Sequence, residues 1–204
     1  MTPLAALLDL LEAAAGPAEP LPSTDGWELV LAENVAYLVD DDRRREAMQR
    51  LRRDVGVEPD QILAAPDDVL LHVVTGMQPT ARAVRLRRCA ELAIGGASWT
   101  SFPGIGKPGA ERIELFTGAR AVLALDSNAL RVLVRLGYAD SDAAYAATYR
   151  QAQSRAVAEL DETVPAFQRA HQLLRRHGRT VCRRSAPACP RCPLADRCPS
   201  ATFR

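Results

Sequence analysis

At 204 residues with 48% apolar side chains, the chain suffices for one ordinary domain or two small ones and can bury a core, which excludes a disordered protein. Aromatic residues make up only 5% and alanine is abundant, so packing falls to close-fitting helices. The net charge of +1 points to neither an acidic tail nor a basic coat, yet it conceals thirteen acids against six arginines in residues 1–60 and eight arginines against one acid in residues 171–204. Leu4, Leu7, Leu8, Leu10 and Leu11 recur at helical spacing, and a linker follows at Gly16-Pro17 and Pro20 to Gly26. Further helices are predicted at Trp27–Val39, Arg43–Val55, Asp60–Ala64, Asp67–Val74, Thr80–Ile94, Pro108–Phe116, Ser127–Leu136, Ser141–Leu160 and Val164–His177. Several open on Pro or a capping Asp or Ser, and several stop at glycine, as at Gly76, Gly95, Gly118, Gly137 and Gly178. With no period-2 strand and no internal repeat, the expected fold class is all-α.

No apolar run reaches the roughly 18 to 20 residues of a membrane span. Met1 to Gly16 carries Asp9 and Glu12 and lacks a basic start, unlike a signal peptide, so a cytosolic protein is expected. In such a reducing compartment the five cysteines, Cys89 alone and four between Cys182 and Cys198, point to metal rather than disulfides. Cys182, Cys189, Cys192 and Cys198 read C-x6-C-x2-C-x5-C. Four soft ligands on one Pro-rich loop can close around a [4Fe–4S] cluster or a tetrahedral zinc, and spacing alone leaves both open. Cys89, on a helix after Arg87-Arg88, reads as an inert core residue. The basic stretch from His171 to Arg204 suits an anionic partner such as nucleic acid.

Phe102-Pro103-Gly104-Ile105-Gly106 lies between two predicted helices. Its glycines permit positive φ and turn successive amides toward a phosphate oxygen at the next helix N-terminus, although a plain helix–helix turn has the same composition. Asp126 follows Gly106 by twenty residues, in Ala124-Leu125-Asp126-Ser127-Asn128, and reads locally as an N-cap. The lysine count narrows the available chemistry: 25 of the 26 basic residues are arginine, and only Lys107 carries a side-chain amine.

Hairpin, acid and four-cysteine loop, in that order, resemble the helix–hairpin–helix DNA glycosylases with an iron–sulfur loop, the endonuclease III and MutY superfamily, from about Trp27 to Pro199. The resemblance implies a six-helix barrel at residues 24–120 containing the hairpin at about 93–117. A second lobe, formed by residues 1–23 and 121–204, carries a [4Fe–4S] cluster on the loop 182–198, and DNA would lie across a cleft between the lobes. It further implies a monomer that acts on double-stranded DNA containing a damaged or mismatched base, with no membrane partner.

Endonuclease III-like enzymes place a Schiff-base lysine two residues after the second hairpin glycine, and here that position is Pro108, which has no amine. Lys107, one residue earlier, corresponds to a basic residue near the DNA backbone. Gly104, Ile105 and Gly106 would make backbone contacts to DNA. Asp126 matches the family's essential Asp, supporting an oxocarbenium-like sugar or a nucleophilic water. Asp126-Ser127-Asn128 follows the D-x-N pattern of the MutY-like and thymine-mismatch branches, with Asn128 orienting the water or the carboxylate. Glu33 falls where a MutY-like enzyme carries its general acid; burial on an apolar helix face would raise its pKa toward that of a useful donor, and a structurally hydrogen-bonded Glu is the alternative. Met77 and Gln78 align with a wedge loop that fills the gap left by a flipped base, with Tyr37 or Leu38 entering opposite and Arg82, Arg85, Arg87 and Arg88 placed to touch phosphate. No segment corresponding to MutY's additional C-terminal domain follows the cysteine loop, and the Gln-rich segment of these enzymes is absent at Ala36 to Val39, so a different substrate range is expected. The resemblance leads to a monofunctional glycosylase, with a bifunctional enzyme using Lys107 and a non-catalytic DNA-structure binder as the alternatives.

Overall fold

A computed structural model describes residues 2–140 and 143–202. Among the described residues the fold is all-α: α1 (Leu4–Ala15), α2 (Gly26–Val35), α3 (Asp41–Asp54), α4 (Pro59–Ala64), α5 (Asp67–Val73), α6 (Pro79–Ile94), α7 (Lys107–Phe116), α8 (Ser127–Arg135), α9 (Tyr145–Val157) and α10 (Val164–Thr180). Short 3-10 turns at Trp99–Ser101, Cys189–Arg191 and Ala195–Arg197, and a two-residue parallel bridge, complete it. The chain divides into two compact units, Pro22–Thr117 and Met1–Leu21 with Gly118–Arg204. Among the described residues no helix is long and apolar enough to cross a membrane.

The first unit packs α2 to α6 around Leu31, Val35, Leu51, Ile62, Leu70, Val73 and Leu86, all fully buried, with α7 against α2. Asp25 and Asp40 start α2 and α3 by accepting from the amides of Glu28 and Arg43, satisfying groups that a helix N-terminus leaves without partners. Arginine forks close several helix ends. Arg44 donates to Ala32 O at 2.5 Å, and Arg87 donates to Leu63 O at 2.7 Å and Ala65 O at 2.6 Å.

Helix α2 ends at Val35, short of the expected Val39, because Ala36 and Tyr37 leave it as an extended pair beside Thr75 and Gly76. That register requires glycine at 76: its φ is +88°, and a Cβ would lie 2.1 Å from Tyr37 O. Periodicity carried the helix too far because Leu38 and Val39 continue the apolar pattern without being helical.

In the second unit α1 buries Leu4, Leu7, Leu8 and Leu11, and Arg169 of α10 pairs with Asp9 at 2.8 Å and Glu12 at 2.5 Å. Helix α9 starts at Tyr145; the expected start at Ser141, with Asp142, lies outside the described residues. Helix α10 continues through Gly178 to Thr180. Gly178 is thus no stop signal but a point of close approach, where an added Cβ would lie 2.5 Å from Asn128 O and 2.9 Å from Asn128 Cβ on α8. Gly178→Ala should therefore cost about 1–3 kcal/mol through overpacking. Gly95→Ala, where the nearest atoms are at ordinary contact distance of 3.6 Å, should stay within about 0.5 kcal/mol. Denaturant unfolding of both variants checks this.

Candidate functional site

Asp126 sits at the N-terminus of α8 with both carboxylate oxygens engaged. Oδ1 accepts from the amides of Asn128 at 2.9 Å and Ala129 at 2.8 Å. Oδ2 accepts from Asn128 Nδ2 at 3.1 Å and pairs with Arg175 Nε of α10 at 3.2 Å. First-turn amides and a guanidinium are what an anionic carboxylate favours, and they fix its orientation. The cap is thus real, and it coexists with a carboxylate that keeps 19% of its side-chain surface. Asn128 is held in turn: its Oδ1 accepts from Arg131 Nη2 at 2.9 Å. The same guanidinium donates to Gly178 O at 2.6 Å and to Cys182 O at 3.0 Å, which links the acid through α8 to the start of the cysteine loop. Tyr149 flanks this site, its hydroxyl accepting from the Leu125 amide at 3.2 Å.

Sequence reasoning missed Arg131 and Arg175. Arg131 lies three residues beyond Asn128, a helical spacing that offered a signal; Arg175 has no local one.

Cys182, Cys189, Cys192 and Cys198 line a single recess with Val132, Leu136, Val181 and Leu194, and none is in a disulfide. Two 3-10 turns shape the loop, and Arg135 clamps it by donating to Cys182 Sγ at 3.2 Å and to Arg183 O at 2.8 Å. Burial, then the neighbouring thiols, push Cys192 and Cys198 up. Hydrogen bonds from Thr202 draw Cys189 down. His177 Nε2 stands 3.5 Å from Cys192 Sγ, and burial lowers this imidazole to about 4. Among the described residues no group of three or more His, Cys, Asp or Glu is placed to hold one metal ion. Four soft sulfur donors around a common recess are a ligand set that suits a tetrahedral metal ion or an iron–sulfur cluster. Cys89 lies apart, fully buried on α6 with its thiol pushed up to about 12 by burial.

In the other unit the turn between the Trp99–Ser101 segment and α7 anchors itself by burying Phe102 and Ile105, with Gly104 at φ +80°. Gly106 is the N-cap of α7, and Pro108 occupies its first turn. Lys107 is mostly exposed, its Nζ 3.6 Å from Glu111. Glu33, expected to be desolvated on an apolar face, is instead paired: Arg112 Nη2 lies 2.6 Å from Oε1 and Arg44 Nη1 3.6 Å from it, with 30% of the side chain exposed. The i, i+4 spacing of Leu31 and Val35 turns both inward on α2 and leaves Glu33 at the edge, within reach of Arg44 of α3 and Arg112 of α7.

Tyr37, Leu38 and Met77 are exposed at 46%, 70% and 56%, and Leu38 and Gln78 adopt left-handed φ of 53° and 58°. Arg82, expected near phosphate, is buried beneath them, donating to Met77 O at 3.0 Å and Asn34 O at 2.9 Å with its guanidinium 4.5 Å from the Tyr37 ring centroid. Arg87 and Arg88 are likewise engaged within the protein, with Asp67 and Glu91 respectively.

No protein-family model matches the sequence, and no curated protein matches it. Solved structures do. A trapped endonuclease III–DNA covalent intermediate matches with a TM-score of 0.80 at 20% identity, covering 97% of this chain and 95% of that one. A non-covalent endonuclease III–DNA complex gives 0.81 at 20% identity over 97% and 94%, and a thermostable thymine-DNA glycosylase gives 0.75 at 17% over 97% and 94%. At these identities the likeness establishes the fold: this chain has the fold shared by endonuclease III and that thymine-DNA glycosylase.

Asp126 is both cap and candidate reactive group, and substitution separates the roles. Asp126→Asn keeps an acceptor for the first-turn amides and should change unfolding free energy by less than about 1 kcal/mol, whereas Asp126→Ala removes the cap and should cost about 0.5–2 kcal/mol. Thermal and denaturant unfolding of both variants measure the difference.

Proposed function

We propose that the protein is a base-excision DNA glycosylase of the endonuclease III and MutY superfamily, hydrolysing the N-glycosidic bond of a damaged or mismatched base in double-stranded DNA without strand cleavage. The observation that carries this reading is the Asp126 carboxylate, fixed by two amides, Asn128 and Arg175 yet still accessible, in a chain that shares the fold of two glycosylase types. An anion so placed stabilises positive charge developing at the sugar as the bond to the base breaks, and Asn128 beside it orients the carboxylate or an incoming water. Water adds its oxygen to C1′ and releases a proton to solvent, the bonding pair leaves on the base, and the base takes up a proton, a net hydrolysis.

Glu33 enters as the candidate donor of that proton. Arg112 and Arg44 favour its anion, so the donor role works against these pairs, and a purely structural tie between α2, α3 and α7 uses the same contacts. Gly104, Ile105 and Gly106 offer backbone contacts to a DNA phosphate, with Lys107 alongside. Met77 and Gln78, with exposed Tyr37 and Leu38, suit the filling of a gap left by a flipped base. Cys182, Cys189, Cys192 and Cys198 would hold a [4Fe–4S] cluster, which when bound supplies a rigid closure for the arginine-rich loop and a one-electron couple. Iron and acid-labile sulfide in equal amounts in the purified chain test that assignment.

Base release across oxidised, deaminated, alkylated and mismatched duplexes tests the activity. Asp126→Asn should lose about 10²-fold or more while remaining folded. Release no higher than background from wild type and variant alike would leave a non-catalytic DNA binder, and equal release above background would remove Asp126 from the chemistry. Glu33→Gln should lose a comparable about 10²-fold or more if Glu33 donates the proton and stay near wild type if it is a tie. Borohydride should trap no adduct on abasic-site DNA; an adduct lost in Lys107→Ala would make the enzyme bifunctional.

A further inference from the structure

Resting on the reading of the cysteine loop as the seat of a [4Fe–4S] cluster, we propose that His177 is a positioning residue for that cluster, donating its Nε2–H to Cys192 Sγ and thereby raising the cluster's reduction potential. His177 lies on α10, five residues before Cys182, and only 6% of it is exposed. Its Nε2 is 3.5 Å from the Cys192 sulfur, the long but ordinary separation of a hydrogen bond to sulfur. A metal-bound thiolate has no proton to give, so the ring must be the donor, which selects the tautomer with hydrogen on Nε2.

The ring's position is fixed by the helix. The backbone oxygen of His177 accepts from the Val181 amide at 3.0 Å and the Cys182 amide at 2.8 Å, so the residue that aims at one cysteine also anchors the backbone of another. Other sulfurs have different partners: Arg135 donates to Cys182 Sγ at 3.2 Å and Thr202 to Cys189 Sγ at 3.7 Å. His177 also borders two recesses. One is the recess lined by the cysteines; the other, of about 120 Å³, is bounded by Leu11, Ala15, Leu173, Arg176, Thr180 and Pro193. Hydrogen bonds to cluster sulfurs are a determinant of cluster potential. A donor to sulfur stabilises the more negative, reduced state, so removing it lowers the potential.

The test compares the cluster midpoint potential, measured electrochemically on the cluster-loaded full chain, for wild type, His177→Phe and His177→Gln. Phe fills the site without a donor, and Gln restores one. We expect His177→Phe to shift the oxidised-to-reduced ratio at fixed potential about tenfold toward oxidised, a lowering of about 59 mV for a one-electron couple. His177→Gln should lie closer to wild type. An unchanged potential in His177→Phe with its cluster intact overturns the proposal. Should His177→Phe fail to retain a cluster, pulsed electron paramagnetic resonance of wild type labelled with ¹⁵N-histidine, in its paramagnetic oxidation state, decides instead. Coupling to one histidine nitrogen supports the hydrogen bond, and none refutes it. A wild-type chain that takes up no iron and sulfide refutes the cluster assignment itself, an outcome distinct from a cluster whose potential does not move.

Discussion

Helix α10 can approach α8 as closely as it does only because residue 178 has no side chain; the space a Cβ would need is taken by the carbonyl and Cβ of Asn128. Two backbones in near contact leave polar groups with little access to water, and such groups must find partners or cost about 1–3 kcal/mol each. Arg131 meets that requirement by bonding Gly178 O, Cys182 O and Asn128 Oδ1 at once. The acid at the start of α8, the amide beside it, and the chain leaving α10 toward the four cysteines are therefore positioned by one contact. A shift of α10 would move Arg175 away from Asp126 and His177 away from Cys192 together, since all three facing residues lie on the same two turns of that helix.

The two candidate carboxylates differ in their surroundings. Asp126 is oriented by backbone amides, which cannot move away without unwinding α8, so its position is built into the secondary structure. Glu33 is oriented by long guanidinium side chains from α3 and α7, which can rearrange. Preorganised charge belongs with the first arrangement and exchangeable pairing with the second.

Features with local causes were legible in the sequence. The glycine turn at Gly104 to Gly106, the helical character of nearly the whole chain, and the capping geometry of Asp126 each follow from residues within a few positions of one another. What escaped the sequence depends on tertiary approach. Gly178 has the composition of a stop and the function of a spacer, and only the presence of α8 separates these. Arg82 looked like a surface cation because nothing local announces that three carbonyls and a tyrosine ring converge on it. Glu33 was expected among apolar neighbours because Arg44 and Arg112, eleven and seventy-nine residues away, are invisible at the scale of one helix.

The arginines that close helix ends and loops give the near-absence of lysine a structural meaning. Arg44, Arg82, Arg87, Arg131, Arg135 and Arg176 all donate to main-chain carbonyls, several of them to two at once from a planar fork. An ammonium presents no such fork. Loops fastened in this way depend on the planar donor set of the guanidinium. Their fasteners are vulnerable to a different chemistry: reagents that cap guanidinium groups would unfasten helix ends in both units, while acylation of amines would reach, among side chains, Lys107 alone.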